Sequence, residues 1–208
     1  DAIGKVMTKL SEAGLEENTL IFFVSDNGGL PFYSDGASDY PADNFPLNMG
    51  KAFLFEGGIR VPFFMKWTGK IPAGTGSNVP ASTLDIVPTV LAAARRPLPN
   101  DLDGINLYER RRGEIASSIR PLFWSNFPNR AIRLGNQKLI ESLYGRWLYN
   151  LNSDVEESMN LAGTLPPDQV GALIQRLDHW ENSNSRPAWH PGPGPTVEIQ
   201  GIDYDLRK

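Results

Sequence analysis

The chain has 208 residues and no cysteine, which excludes disulfides, thiolate metal sites and cysteine nucleophiles. It has two histidines, His179 and His190, which we interpret as surface or packing residues. No apolar run approaches the roughly 18 residues that a membrane-spanning helix needs. The net charge of −4 and the pI near 5.2 give no electrostatic case for nucleic acid or an anionic membrane as the main partner.

The residues that are present describe a globular chain, with 40% apolar and 21% charged residues. Ile3, Val6, Met7 and Leu10 recur at helical spacing, and Gly14 is suited to end that helix. Because the sequence enters this helix without an initiator Met, we expect a piece of a longer protein. A signal peptide is therefore not observable, and the compartment stays open.

Residues 20–29 read Leu-Ile-Phe-Phe-Val-Ser-Asp-Asn-Gly-Gly. The apolar run predicts a strand buried on both faces, as in a parallel sheet. Asp26 and Asn27 follow the strand, where ligands bind in open α/β sheets. Their oxygens suit Ca²⁺ or Mg²⁺. The same four residues also suit an ordinary turn, and this stretch alone leaves both interpretations open.

The order of helix and apolar strand predicts an α/β fold with a mostly parallel sheet and helices. Residues 30–48 form a long irregular loop, and residues 83–94 form a helix capped by Ser82 or Thr83. Short strands near residues 121–125, 130–134, 137–140 and 147–151 predict a small antiparallel sheet, packed with an amphipathic helix over residues 167–181. We therefore predict three parts: residues 1–115, a C-terminal subdomain at 116–182, and a Pro/Gly-rich arm at 183–208.

Several motifs resemble the sulfatase family of the alkaline phosphatase superfamily, whose members are formylglycine-dependent and arylsulfatase-like. Asp26-Asn27-Gly28, Lys51, and the Glu-Gly-Gly-Ile-Arg-Val-Pro of residues 56–62 carry the resemblance. It continues in order at residues 67–74, 83–89, 102–107 and 148–151, and then at Asp154, Glu157 and Asn160.

The resemblance implies hydrolysis of aryl or carbohydrate sulfate esters, with residues 1–115 as the C-terminal part of the catalytic domain. It implies that Asp26 and Asn27 are ligands of Ca²⁺ (or Mg²⁺). Lys51 would be the catalytic lysine that binds the sulfate near the leaving oxygen. Glu56 and Arg60 would be structural, with Arg60 holding the turn through multidentate hydrogen bonds. A periplasmic or secreted location is usual for the family.

The chain also departs from the family's pattern. It contains no Ser-Xaa-Pro-Xaa-Arg motif and no cysteine, so it lacks the residue that becomes formylglycine. The family's second carboxylate pair and its active-site histidines, which precede the Asp-Asn-Gly motif, are absent too. We therefore expect half of a metal site, with the metal position empty in this chain, and no activity of the chain alone.

Two alternatives stay open. A non-catalytic module could bind sulfated glycans or a protein through Lys51, Lys66 and Lys70 with Phe32, Tyr33 and Tyr40. A hydrolase of the same superfamily could instead act on phosphate or phosphonate esters. The strand at residues 20–24 expects neighbouring strands on both sides, and we expect the strands N-terminal to it to be missing from this chain. An apolar face and an unpaired edge would then be exposed, so we predict self-association through that truncated sheet face.

Overall fold

The structure is a computed structural model that describes residues 1–31, 42–111, 119–185 and 194–206. The chain divides into two compact units, residues 1–25 with 62–118, and residues 26–61 with 119–208. The boundaries predicted at residues 115 and 182 stay predictions. No helix in the described ranges is long and apolar enough to cross a membrane.

The first unit opens with helix α1, Ala2–Glu12, followed by Gly14 at φ +67°. A 3₁₀ turn, Glu16–Asn18, leads to strand β1, Ile21–Val24. β1 pairs antiparallel with β2, Phe63–Lys66. The expectation that β1 is buried on both faces is wrong, since its Phe23 is 45% exposed. The described strands contain no parallel pair, so the parallel part of the sheet stays a prediction.

Two of the sequence motifs join in this first unit. A 3₁₀ turn, Thr83–Asp85, runs into helix α3, Ile86–Ala93, and helix α4 spans Leu107–Arg111. The Ser82 hydroxyl and the Asp85 carboxylate form a capping box, as the sequence predicts for Ser82. The other Asp85 oxygen accepts from the Ile105 N–H at 2.9 Å. Residues 83–89 and 102–107 are therefore one packed structural element.

The second unit is built on a four-stranded antiparallel sheet in the order β3-β4-β5-β6. These strands are Pro121–Asn126, Asn129–Leu134, Gln137–Glu141 and Arg146–Asn150, and they confirm the predicted antiparallel sheet. Helix α5, Pro167–Ser183, covers one face of it, as expected. Because side chains alternate between faces, the residues packed there come from alternate positions: Ile132, Leu139 and Leu148 from the sheet, and Val170, Leu173 and Leu177 from the helix.

The opposite face of the sheet is covered by residues 53–55 and by a hairpin of β7, Thr196–Ile199, and β8, Ile202–Asp205. Tyr204 is fully buried there, and its hydroxyl accepts from the Leu54 N–H at 3.1 Å. The expectation of an arm is therefore wrong for residues 196–205. Gln200 and Gly201 both have positive φ, which suits the tight two-residue turn of a hairpin.

Candidate functional site

The predicted site residues all lie in the second unit, on three short segments that bond to one another through the backbone. The segments are residues 26–29, residues 48–52 and helix α2, Glu56–Ile59. The Lys51 N–H donates to the Gly29 carbonyl at 3.0 Å, and the Gly28 N–H donates to the Gly58 carbonyl at 3.0 Å. The Gly57 N–H donates to the Asn48 carbonyl at 2.7 Å. These bonds bring the Asp26-Asn27 loop and the Lys51 loop together.

Glycine is required because the three segments approach closely. A Cβ on Gly28 would stand 1.6 Å from the Gly57 carbonyl oxygen, and a Cβ on Gly57 would stand 2.3 Å from the Met49 carbonyl oxygen. A Cβ on Gly50 would stand 2.1 Å from the Gly29 carbonyl oxygen. No side chain fits at these distances, so glycine at these positions has a steric cause.

Asn44, which sequence reasoning missed, ties two of these segments together. Its carbonyl oxygen accepts from the Gly29 N–H at 2.9 Å. Its amide nitrogen donates to the carbonyls of Gly29 at 2.9 Å and Met49 at 3.0 Å. Met49 and Ala52 have φ of 57° and 79°. These left-handed conformations are unfavourable for residues with a Cβ, and they flank Lys51 on both sides.

The two predicted metal ligands lie at the surface of this assembly. Asp26 is exposed, and one of its oxygens accepts from the Asn27 N–H at 2.9 Å. The Asn27 amide nitrogen donates to the Gly28 carbonyl at 2.9 Å, which orients its amide. A carboxylate and an amide oxygen fit Ca²⁺ or Mg²⁺ in kind, but Ca²⁺ takes six to eight oxygens. The described residues hold no cluster of three or more His, Asp or Glu side chains suited to a metal.

The other predicted binding residues belong to different elements of the chain. Lys51 is exposed, with its backbone fixed as described above. Lys66 belongs to the first unit and pairs with Glu16 at 3.0 Å. His179 is exposed on α5. Lys70 is exposed in the first unit. The other candidates lie outside the described residues: Phe32, Tyr33, Tyr40 and His190.

Beneath the three segments lies a buried ionic cluster formed by Glu56, Lys138 and Glu157, each at most 1% exposed. The Lys138 ammonium lies 2.9 Å from one Glu56 oxygen and 2.8 Å from one Glu157 oxygen. The other Glu157 oxygen accepts from the Glu56 backbone N–H at 2.6 Å. The three residues therefore close a ring of charge-assisted contacts, which are stronger than neutral hydrogen bonds.

Two arginines border this cluster. The second Glu56 oxygen lies 3.6 Å from the Arg60 guanidinium and 3.7 Å from the Arg133 guanidinium. Arg60 is half exposed, and its described side-chain contact is this single ion pair rather than the multidentate set that the sequence suggested. This pair joins a half-exposed guanidinium to a buried carboxylate.

The cluster perturbs the proton affinity of Glu157. Burial raises the pKa of Glu157 to about 7, although the neighbouring Lys138 ammonium lowers it. Sequence reasoning missed Lys138 as a site residue, although strand alternation could have indicated that it is buried. Lys138 precedes Ile140 by two residues on β5, so a lysine side chain points to a core face of the sheet.

Comparisons with known proteins agree with these motifs. The sequence model of the Sulfatase family matches residues 1–95. A sulfatase of Formosa agariphila is 29% identical, with 89% of this chain and 38% of that protein covered. Human arylsulfatase A is 36% identical, with 66% of this chain and 27% of that protein covered. The chain thus spans well under half the length of these relatives.

Solved structures give the same result for the fold. The crystal structure of Ps i-CgsB in complex with a neocarrahexaose superposes with a TM-score of 0.77 at 29% identity, covering 90% of this chain and 42% of that one. The PsFucS1 sulfatase from Pseudoalteromonas superposes with a TM-score of 0.64 at 26% identity, covering 86% and 39%. Over residues 1–95 by sequence, and over most of the chain by fold, this protein is similar to the sulfatase family.

Proposed function

We propose that this chain is a portion of a sulfuric ester hydrolase. In this proposal Asp26 and Asn27 supply two oxygen ligands of a Ca²⁺ (or Mg²⁺) site, and Lys51 binds the sulfate group. The observation that carries the proposal is the bond from the Lys51 N–H to the Gly29 carbonyl at 3.0 Å. It joins the carboxylate-amide pair and the lysine on one rigid backbone assembly.

The chemistry of sulfate ester hydrolysis fits these side chains. Negative charge grows on the leaving oxygen as the sulfur–oxygen bond breaks, and a fixed ammonium stabilises that charge. Lys51 is exposed and anchored at its backbone, so its ammonium can reach a ligand in solution. A bound divalent ion would supply Lewis-acid stabilisation of the sulfate oxygens. Asp26 and Asn27, in the segment of residues 26–29, would supply two of the oxygen ligands of that ion.

This chain does not contain the residue that would provide the nucleophile. The sequence contains neither a cysteine nor a Ser-Xaa-Pro-Xaa-Arg motif. The proposal therefore assigns no covalent step to these residues. It follows that the isolated chain is inactive and that two ligands alone bind a divalent ion weakly.

We further propose that the substrates are carbohydrate sulfates. Two relatives carry names that point to such ligands. The N-acetylgalactosamine-6-sulfatase of the dog is 35% identical over 126 residues, covering 60% of this chain and 23% of that protein. The Ps i-CgsB structure is a complex with a neocarrahexaose.

The proposal is tested in the longest natural protein that contains this chain, assayed on a sulfated oligosaccharide, 4-nitrophenyl sulfate and 4-nitrophenyl phosphate. We expect hydrolysis of the sulfate esters. Lys51→Ala should lower kcat about 100-fold or more, the usual cost of one charge-stabilising group. Lys5→Ala, an exposed lysine of the first unit, is the control. Hydrolysis of phosphate in place of sulfate, or an unaffected Lys51→Ala variant, would contradict the proposal.

The isolated chain tests the remaining points. We expect no turnover, and weak Ca²⁺ binding in calorimetry that Asp26→Ala abolishes. Turnover by the isolated chain would contradict its assignment as part of the site. Tight binding of a sulfated glycan by the isolated chain, lost in Lys51→Ala, would favour the non-catalytic binding module instead.

A further inference from the structure

Glu157 connects parts of the chain that are distant in sequence. Its carboxylate accepts from the Glu56 backbone N–H, 101 residues earlier, at 2.6 Å. Glu56 is the first residue of α2, and Phe55 before it provides no side-chain cap. The first N–H groups of a helix have no partner within the helix. Glu157 therefore caps this short helix from a segment 101 residues later in the chain.

The backbone of Glu157 makes two further contacts. Its carbonyl accepts from the Asn48 side-chain amide at 3.4 Å and from the Gln200 side-chain amide at 2.8 Å. Glu157 adopts φ +52°, a conformation that a residue with a Cβ adopts only when its surroundings hold it there. Glu157 thus forms hydrogen bonds with three parts of the second unit: helix α2, the segment that leads to Lys51, and the turn between β7 and β8.

The path from Glu157 to Lys51 is short. Capping Glu56 fixes the start of α2, and the next residue, Gly57, donates to the Asn48 carbonyl at 2.7 Å. Asn48 also donates directly to Glu157, and Lys51 follows three residues later. Lys138, fully buried, holds the Glu157 carboxylate in place from β5 at 2.8 Å.

We propose that Glu157 is a positioning residue that fixes the loop carrying Lys51, with Lys138 as the ion that orients its carboxylate. The part of this inference that concerns sulfate rests on the proposed function, whereas the part that concerns the loop does not. Glu157 touches no substrate in this scheme and acts through Lys51.

The loop is tested first, by amide hydrogen exchange of the chain as it stands. In Glu157→Ala, we expect the Lys51, Gly57 and Gly28 amides to exchange at least tenfold faster, with the α5 amides unchanged. Glu157→Gln keeps an oxygen acceptor for the Glu56 N–H and should give an intermediate rate. The adjacent exposed Glu156→Ala is the matched control and should match the natural chain.

The outcomes separate positioning from general stability. If amide exchange becomes uniformly faster across the second unit, including α5, Glu157 only stabilises the fold and the positioning role is refuted. Unchanged exchange of the Lys51 amide would also overturn the proposal. If Glu157→Ala does not fold, Asn48→Ala removes one of the links to Glu157. That variant should still accelerate exchange selectively at Lys51, and failure to do so would refute the path.

Activity of the longer protein supplies the second test. Glu157→Ala should lower kcat/KM for the sulfate ester at least tenfold, and the double variant with Lys51→Ala should be no slower than Lys51→Ala alone. Such non-additivity is expected when one residue acts through another. If the double variant instead loses kcat/KM by the product of the two single-variant losses, the positioning role is overturned. Absence of all sulfate hydrolysis would defeat the proposed function while the exchange result still decides the loop.

Discussion

Replacing Lys138 with methionine should destabilise the second unit strongly. Methionine matches the length of the lysine stem but removes the ammonium that lies 2.9 Å from Glu56 and 2.8 Å from Glu157. Two buried carboxylates would then lose the ammonium that lies between them, leaving Glu56 only the more distant Arg60 and Arg133 guanidiniums. Removing one partner of a buried ion pair costs about 3–5 kcal/mol, because the remaining charge is left unpaired.

The loss should depend on pH in a defined direction. Burial already raises the pKa of Glu157 to about 7, above its unfolded value. A carboxyl with a raised pKa holds its proton in the folded state, so the free energy of unfolding falls as pH rises from about 4.5 towards the folded pKa. Without Lys138 the folded pKa rises further. The variant should therefore lose more stability at pH 8 than at pH 5.

Urea unfolding followed by tryptophan fluorescence measures this, since Trp147 is fully buried in the same unit. Lys5→Met is the control, because Lys5 is exposed and pairs with Asp1 at 3.4 Å at the surface. Adding Glu157→Gln to Lys138→Met should recover part of the loss by removing one buried charge. A Lys138→Met chain as stable as the natural one at pH 8, or a loss independent of pH, would refute the reasoning.

Three further predictions concern other parts of the chain. Gly57→Ala should destabilise the chain by about 2 kcal/mol or more in urea unfolding, since its Cβ would meet the Met49 carbonyl at 2.3 Å; an unchanged midpoint would contradict this. Tyr204→Ala should cost about 3–5 kcal/mol, measured in the same way, because a fully buried ring is removed; a loss below 1 kcal/mol would contradict the assigned core. The chain should self-associate at micromolar concentration in sedimentation, and Phe64→Lys, at a position 63% exposed beside Phe23, should shift it towards monomer; a monomeric natural chain would contradict this.

Local patterns in the sequence predicted much of the fold. The antiparallel sheet and α5 follow from strand alternation and from the apolar stripe of Val170, Leu173 and Leu177, both of which depend on neighbouring residues only. The β7–β8 hairpin was missed, because proline and glycine dominate the sequence before it. Its strands are four residues each, too short for a clear pattern.

Only those residues of the candidate site that lie within short sequence motifs could be predicted. Asp26, Asn27, Lys51 and Glu56 lie in short motifs that resemble those of the sulfatase family, so their positions could be proposed from that resemblance. Whether they bind metal and sulfate stays a prediction.

The partners of these motif residues could not be found in the same way. Asn44 contacts Gly29 across 15 residues, and Glu157 contacts Glu56 across 101. Such pairings depend on the tertiary path of the chain, which no local pattern encodes.

The fully buried Tyr204 has a consequence for the order of folding. Its hydroxyl accepts from Leu54, 150 residues earlier, beside the turn that begins at Glu56. During synthesis, residues 48–60 leave the ribosome long before Glu157 and Tyr204 exist. At roughly 5–20 residues per second, the time between synthesis of Leu54 and synthesis of Tyr204 is about 7 to 30 seconds. The loop that carries Lys51 therefore acquires its final geometry late, and until then its glycine-rich segment is open to chaperones and proteases.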